Sequence, residues 1–227
     1  MSNSYSSLPL IVVLICAGAI PFVLGFVIGF LVKSRYQYNI RTSQNRGEAS
    51  VRKVVVANFP PPQYHLLNNV TISFQDGTTQ IDHVLVSTKG IFVIETKNYS
   101  GWMFADEKSK QWMQVLYRVK SRFQNPIHQN YLHVKAIQQL FDFLPKEQIH
   151  SVVVFTGNGQ FKTPIPKGVY YLNQLTEFLK TFQDDVISPN RVEFCVGRLE
   201  CKRYEVTKMT DIQHRAYLAQ KFGKSDD

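Results

Sequence analysis

The chain has 227 residues, of which 44% are hydrophobic and 19% charged, with a formal net charge of +9. That length accommodates one domain with a real core plus an anchor. Three cysteines without a Cys-x-x-Cys spacing and six scattered histidines argue against a disulfide framework, a zinc site or a histidine-based metal centre.

Residues 1–7 carry no charged side chain, and residues 8–32 are almost wholly apolar. At a rise of about 1.5 Å per residue, such a run crosses a hydrocarbon layer of about 30 Å. A cleaved signal peptide would want a positive N-terminal region and a shorter apolar run. Here the positive charges follow instead, at Lys33, Arg35, Arg41 and Arg46, with no acid before Glu48. The pattern predicts a single-pass transmembrane helix with its N-terminus outside and the rest of the chain in the cytoplasm. Gly25 and Gly29 form a Gly-x-x-x-Gly pattern, which lets two helices approach closely and pair into a homodimer. All charged side chains follow residue 32, so the basic excess serves either nucleic acid phosphates or anionic lipid head groups.

Residues 33–46 read as a basic juxtamembrane linker, and a domain is expected to begin at Gly47. Glu48–Ala57 reads as a short helix, stopped by the proline run Pro60-Pro61-Pro62. Tyr64–Phe74 is strand-like with turn residues Asn68-Asn69 in its middle, and Gln75-Asp76-Gly77 is a hairpin turn. Gln80–Ser87 and Ile91–Lys97 read as central strands joined by a turn at Thr88-Lys89-Gly90. One or two further strands are expected in 102–124, a helix at Pro126–Leu144, a strand at Ser151–Thr156, and helices at Tyr171–Phe182 and Thr210–Phe222. The order predicts an α/β domain with a mixed sheet.

The chemistry concentrates on one hairpin. With the turn at Thr88-Lys89, Ser87 faces Gly90 and Asp82 falls opposite Glu95, while Lys97 shares the face of Glu95. Two facing carboxylates repel unless neutralised, and a divalent cation such as Mg²⁺ relieves this with one or two carboxylates plus water and phosphate oxygens. A bound metal acidifies water, and a lysine beside it stabilises developing oxyanion charge. These are the needs of phosphodiester hydrolysis. The competing reading is a structural salt bridge. Glu200-Cys201-Lys202 has the same Glu-x-Lys form with no identifiable Asp-bearing partner strand, so the weight lies on Asp82.

The segments Gln80–Val86 and Gly90–Tyr99 with Gly101 resemble the nuclease-related domain, NERD, assigned to the PD-(D/E)xK nuclease superfamily. Gly47-Glu48 with Val51 resembles its opening helix, Asn125-Pro126 with Gln129 its second helix, and Val152–Thr156 its last core strand. The likeness covers about residues 47–160. It implies a restriction-endonuclease-like mixed sheet flanked by helices, with Asp82 and Glu95 as metal ligands for Mg²⁺ or Mn²⁺ and Lys97 as the catalytic lysine. It further implies that Glu48 reaches the site from the first helix and Gln129 from the second. Ile81 stands where the superfamily name has proline. The domain is taken as 47–165, with 166–227 as a C-terminal α/β extension.

Lys108, Lys110, Arg118, Lys120, Arg122 and Lys135, interleaved with Trp112, Tyr117, Phe123 and Tyr131, suit a phosphate-tracking groove. The expectation is a membrane-anchored, metal-dependent nuclease-like hydrolase acting on nucleic acid, with DNA as the substrate. Its alternatives are a nucleic-acid-binding module that does not cut and a membrane scaffold or interaction protein.

Overall fold

The computed structural model describes residues 27–30 and 45–205. Residues 27–30 are helical. The rest of the expected anchor, with Gly25, and the expected helix Thr210–Phe222 lie outside the described residues. Among the described residues no helix is long and apolar enough to cross a membrane. The chain divides into two compact units, Met1–Ser43 and Gln44–Asp227, and the second holds the α/β domain.

The second unit opens with α1, helical over residues 45–58. The strands β1 (Tyr64–Phe74), β2 (Gly77–Ser87) and β3 (Gly90–Lys97) then form an antiparallel meander. Its first turn is tight: Phe74 pairs with Gly77 and Gln75 takes φ 52°. Its second is held by the Ser87 hydroxyl, which donates to Gly90 O and accepts from Lys89 N, while Gly90 sits at φ 134°. Strands β7 (Ile149–Phe155) and β9 (Val169–Tyr171) continue the sheet in parallel, giving the order β1-β2-β3-β7-β9. The fold is therefore α/β with a mixed central sheet, as expected. Strand β7 covers the expected strand Ser151–Thr156 to within a residue or two, and β9, beyond residue 165, adds one more strand to the sheet.

Helices cover both faces. Val134 and Ile137 of α2 (Pro126–Leu140) pack with Val192, Cys195 and Leu199 of α4 (Pro189–Lys202) against Val84, Val86, Ile91 and Val93. Val51 and Val55 of α1 pack with Leu175 and Leu179 of α3 (Leu172–Lys180) against Leu85, Phe92, Ile94, Val152 and Val154. The alternation of partners along β3 is why it reads as a continuous apolar run: both its faces are buried. Helix α2 stops at Leu140, four residues before the expected end, because Phe141 leaves the helical region at φ −111°. Helix α4 was not anticipated, although Pro189 at its first turn and the buried spacing Val192, Cys195, Leu199 are helical signals.

Residues 102–124 hold three strands rather than one or two. Strands β4 (Gly101–Phe104), β5 (Gln111–Leu116) and β6 (Val119–Gln124) join β8 (Gly159–Phe161) in a second sheet, ordered β6-β5-β4-β8. Its inner face contributes Met103 and Trp112, with Phe123 and Phe161 beside them, to a cluster on Val153, Phe155 and Val169 of the main sheet. The Trp112 ring stacks on Phe155 at 6.2 Å between centroids.

Candidate nuclease-type site

The site grows from a defect in the β1–β2 ladder. Pairs run from Tyr64↔Ser87 to Asn68↔His83 and resume at Val70↔Ile81, leaving Asn69 and Asp82 unpaired. Asn69 takes φ 51°. Strict alternation would set Ile81 and Val84 on opposite faces, yet both lie in the cluster under α2, as do Leu67 and Val70 of β1. Both strands thus reverse face at this point, a distortion of the kind that re-aims a side chain. Asp82 is the residue at the reversal.

On the other side, β2 and β3 pair from Ser87↔Gly90 to His83↔Ile94. The next step of that register sets Asp82 opposite Glu95, the arrangement read from the sequence. Here the backbone ladder ends and the side chain takes over: Thr96 N–H donates to Asp82 Oδ2 at 2.7 Å. Glu95 is 1% exposed. Its Oε1 lies 2.7 Å from Lys97 Nζ, and the same ammonium donates to Gln129 Oε1 at 3.0 Å. Glu95 Oε2 lies 3.2 Å from His133 Nε2, an ion-pair contact rather than an aligned hydrogen bond.

The charges divide unequally between the carboxylates. Burial, Glu95 and Glu48 push the Asp82 carboxyl well above its usual range, outweighing Lys97 and the Thr96 N–H. Burial also penalises the Glu95 anion, but Lys97 and His133 overcome it and hold Glu95 at about 2. Lys97 is raised: burial works against its charge, and Glu95 and Asp82 more than offset it. So one carboxylate is firmly ionised by its lysine, and its neighbour resists ionisation.

Asp82, Glu95, Lys97 and Gln129 therefore come together, and Glu48 is close enough to act on Asp82. The preceding Gly47 explains how: a Cβ there would meet Thr156 Oγ1 at 2.6 Å and Asn98 Cβ at 2.9 Å, so the start of α1 is pressed onto the ends of β3 and β7. His133 was not singled out in the sequence. Its signal was positional: it follows Gln129 by four residues on α2, hence lies on the same helix face. Its Nδ1 is hydrogen-bonded to Thr79 Oγ1 at 2.7 Å. Asn130 fixes α2 over the strands by donating to Val93 O, Val152 O and Ser151 Oγ.

The six basic residues lie on several different elements. Lys108 and Lys110 lie in the β4–β5 connection, Arg118 at the far turn of the β5–β6 hairpin, and Lys135 on α2, 5.2 Å over the Tyr131 ring. Lys120 and Arg122, two apart on exposed β6, share a face. Trp112 and Phe123 are not available for stacking, because they point into the core beneath the small sheet. The buried Asn125 orders the loop before them: its amide donates to the carbonyls of Asp106, Glu107 and Ser109, and its Oδ1 accepts from Ile127 N at the start of α2.

The donor set fits a divalent cation as a two-carboxylate site. Asp82 keeps one oxygen beyond its Thr96 bond, Glu95 Oε2 is a buried acceptor without a hydrogen bond, and the mutual repulsion of the carboxylates is what a cation would relieve. No group of three His, Cys, Asp or Glu able to hold a metal occurs among the described residues. Further ligands would have to be water or substrate oxygens.

The family model described as the nuclease-related domain matches residues 43–156. An uncharacterized protein of Bacillus anthracis is 34% identical over 189 residues, covering 78% of this chain and 84% of the relative. The match spans α1, the β1–β3 meander, strands β4 to β6 of the small sheet, α2 and β7, and so includes Glu48, Asp82, Glu95, Lys97 and Gln129. The chain belongs to the nuclease-related domain family.

Proposed function

We propose that this protein hydrolyses phosphodiester bonds of nucleic acid, with DNA as the substrate, in a reaction dependent on Mg²⁺ or Mn²⁺. The observation that carries the reading is the buried Glu95–Lys97 pair beside a carboxyl, Asp82, that burial and two acids hold far from its usual range. A buried charge cluster of this kind is costly to a fold and marks a working site. Asp82 and Glu95 would hold the metal, with Glu48 in support. The metal would supply charge neutralisation at phosphate and acidification of water.

The chain's own residues supply the rest. Glu95 Oε1 and Gln129 Oε1 engage two of the three ammonium donors of Lys97 and fix its direction, leaving one for a phosphate oxygen or the attacking water. His133, anchored by Thr79, steadies Glu95 from the other side. A second reading, a nucleic-acid-binding module that does not cut, has in its favour only that fewer than three strong ligands converge among the described residues.

The reading extends to residues 8–32 as a single membrane span, with the domain in the cytoplasm and the span's Gly25 and Gly29 as a contact between two copies. Its support is the uncharged run followed by Lys33, Arg35, Arg41 and Arg46. Protease should then remove the domain in inside-out vesicles and spare it in right-side-out ones; the reverse pattern inverts the topology. For the chemistry, purified full-length chain with Mg²⁺ or Mn²⁺ should cut nucleic acid, and Asp82→Asn should not. Cleavage by Asp82→Asn at the parental rate would assign the activity elsewhere.

A further inference from the structure

The small sheet has a second face. With Met103, Trp112 and Phe123 turned inward, alternation sends Trp102 of β4, Met113 and Val115 of β5, and Lys120 and Arg122 of β6 to the opposite side. The register lines them up across the strands: Trp102 is beside Val115 and Val115 beside Lys120, while Met113 is beside Arg122. Trp102 is 52% exposed on an interior strand of the sheet, and Lys162 Nζ stands 5.0 Å over its ring. None of the four strands contains an Asp or Glu.

We propose that this face is a stacking platform for single-stranded nucleic acid, with Trp102 as its base-contacting residue and Lys120, Arg122 and Lys162 as its phosphate contacts. The inference rests on the proposed function and narrows its substrate class. Three cations over strands that carry no acid complement a polyanion. An exposed indole in the middle of a sheet offers a base a flat partner, and only an unpaired base can present its face to it. A duplex hides its bases and would meet the cations alone. Trp102 follows Lys97 by only five residues, on the strand entered directly from β3.

An anionic bilayer is the rival occupant of a basic, aromatic surface. It favours a protruding tip, and this hairpin has one in Tyr117, 94% exposed at the β5–β6 turn. Trp102 lies on an interior strand of the sheet, away from that tip.

The test is equilibrium binding by full-length protein in neutral detergent with EDTA, so that no cutting is required. The probes are a labelled single-stranded oligodeoxynucleotide of mixed sequence and the same sequence as a duplex. Trp102→Ala should weaken single-strand binding about tenfold and duplex binding little. Trp102→Phe should keep most of the affinity and abolish the quenching of exposed tryptophan emission on binding, since Trp112 is buried. Lys162→Gln should flatten the salt dependence by about one unit of log–log slope. Parental single-strand affinity in Trp102→Ala overturns the proposal, as does an equal loss for duplex. So does a blue shift of Trp102 emission with phosphatidylserine vesicles but none with oligonucleotide. Absence of metal-dependent cleavage would defeat the enzymatic reading while leaving these EDTA measurements unchanged, so the two fail separately.

Discussion

Glu-x-Lys occurs twice in this chain, at Glu95-Thr96-Lys97 and Glu200-Cys201-Lys202. On β3 the first and third residues share a face, and Lys97 Nζ meets Glu95 Oε1 at 2.7 Å with Glu95 almost wholly buried. On α4 residues two apart point in different directions, and Glu200 turns to Arg203, three residues on, also at 2.7 Å, in solvent. Equal spacing and equal ion-pair length therefore carry different consequences. The strand pair sits beside a second carboxyl, Asp82, in low dielectric; the helix pair is screened by water and contributes about 0–1 kcal/mol.

The largest separation between the two should come from Lys97→Met. It leaves Glu95 buried without its cation, and urea unfolding at neutral pH should report a loss of about 3–5 kcal/mol. The pH dependence follows from the direction of the Glu95 shift. Its folded value, about 2, lies below the ordinary 4.5, so the contribution is present above 4.5 and disappears as pH falls through about 2. The deficit of Lys97→Met should shrink over that interval. A deficit that is constant with pH would mean the lysine acts through packing alone.

Asp82→Asn should move stability the other way. The Asp82 carboxyl is raised above its ordinary 3.8, so its ionisation opposes folding increasingly as pH rises from that value toward the folded one. Without metal, the variant should gain on the order of 1 kcal/mol at neutral pH, and the gain should vanish in acid. Mg²⁺ or Mn²⁺ should raise the melting temperature of the parent and not of the variant. Equal metal stabilisation of both would remove Asp82 from the ligand set.

The smallest effect belongs to the helix. Glu200→Gln should change stability by about 0–1 kcal/mol, less at high salt, with no effect on metal-dependent melting. A loss comparable to that of Lys97→Met would overturn the distinction between the two pairs.

Much of the hairpin site was legible in the sequence, for a physical reason. A two-residue turn at Thr88-Lys89 fixes the register of a hairpin, and the period of two fixes its faces, so Asp82, Glu95 and Lys97 follow from spacing. What escaped depends on long-range contacts. The face reversal at Asn69 and Asp82 leaves only a hint in Asn68-Asn69 within a strand. His133 meets Glu95 only once α2 is docked by Asn130. Which of Trp102 and Trp112 faces solvent is set by the small sheet packing on Phe155, a contact 43 residues from Trp112 in sequence. Helix α4 was missed because its charged residues obscure a narrow apolar stripe.

Phosphodiester chemistry by the buried charges of the hairpin is open to direct test. The measurement that addresses it most directly is single-turnover cleavage of labelled DNA by full-length protein, with and without Mg²⁺ or Mn²⁺, beside Asp82→Asn. Asp82→Asn serves because it should fold at least as well as the parent, so its activity is not confounded by unfolding. Cleavage should require the metal and fall at least about a hundredfold in the variant, a loss of about 2.7 kcal/mol in transition-state stabilisation. No metal-dependent cleavage of any nucleic acid by the folded parent, or equal cleavage by Asp82→Asn, would contradict it.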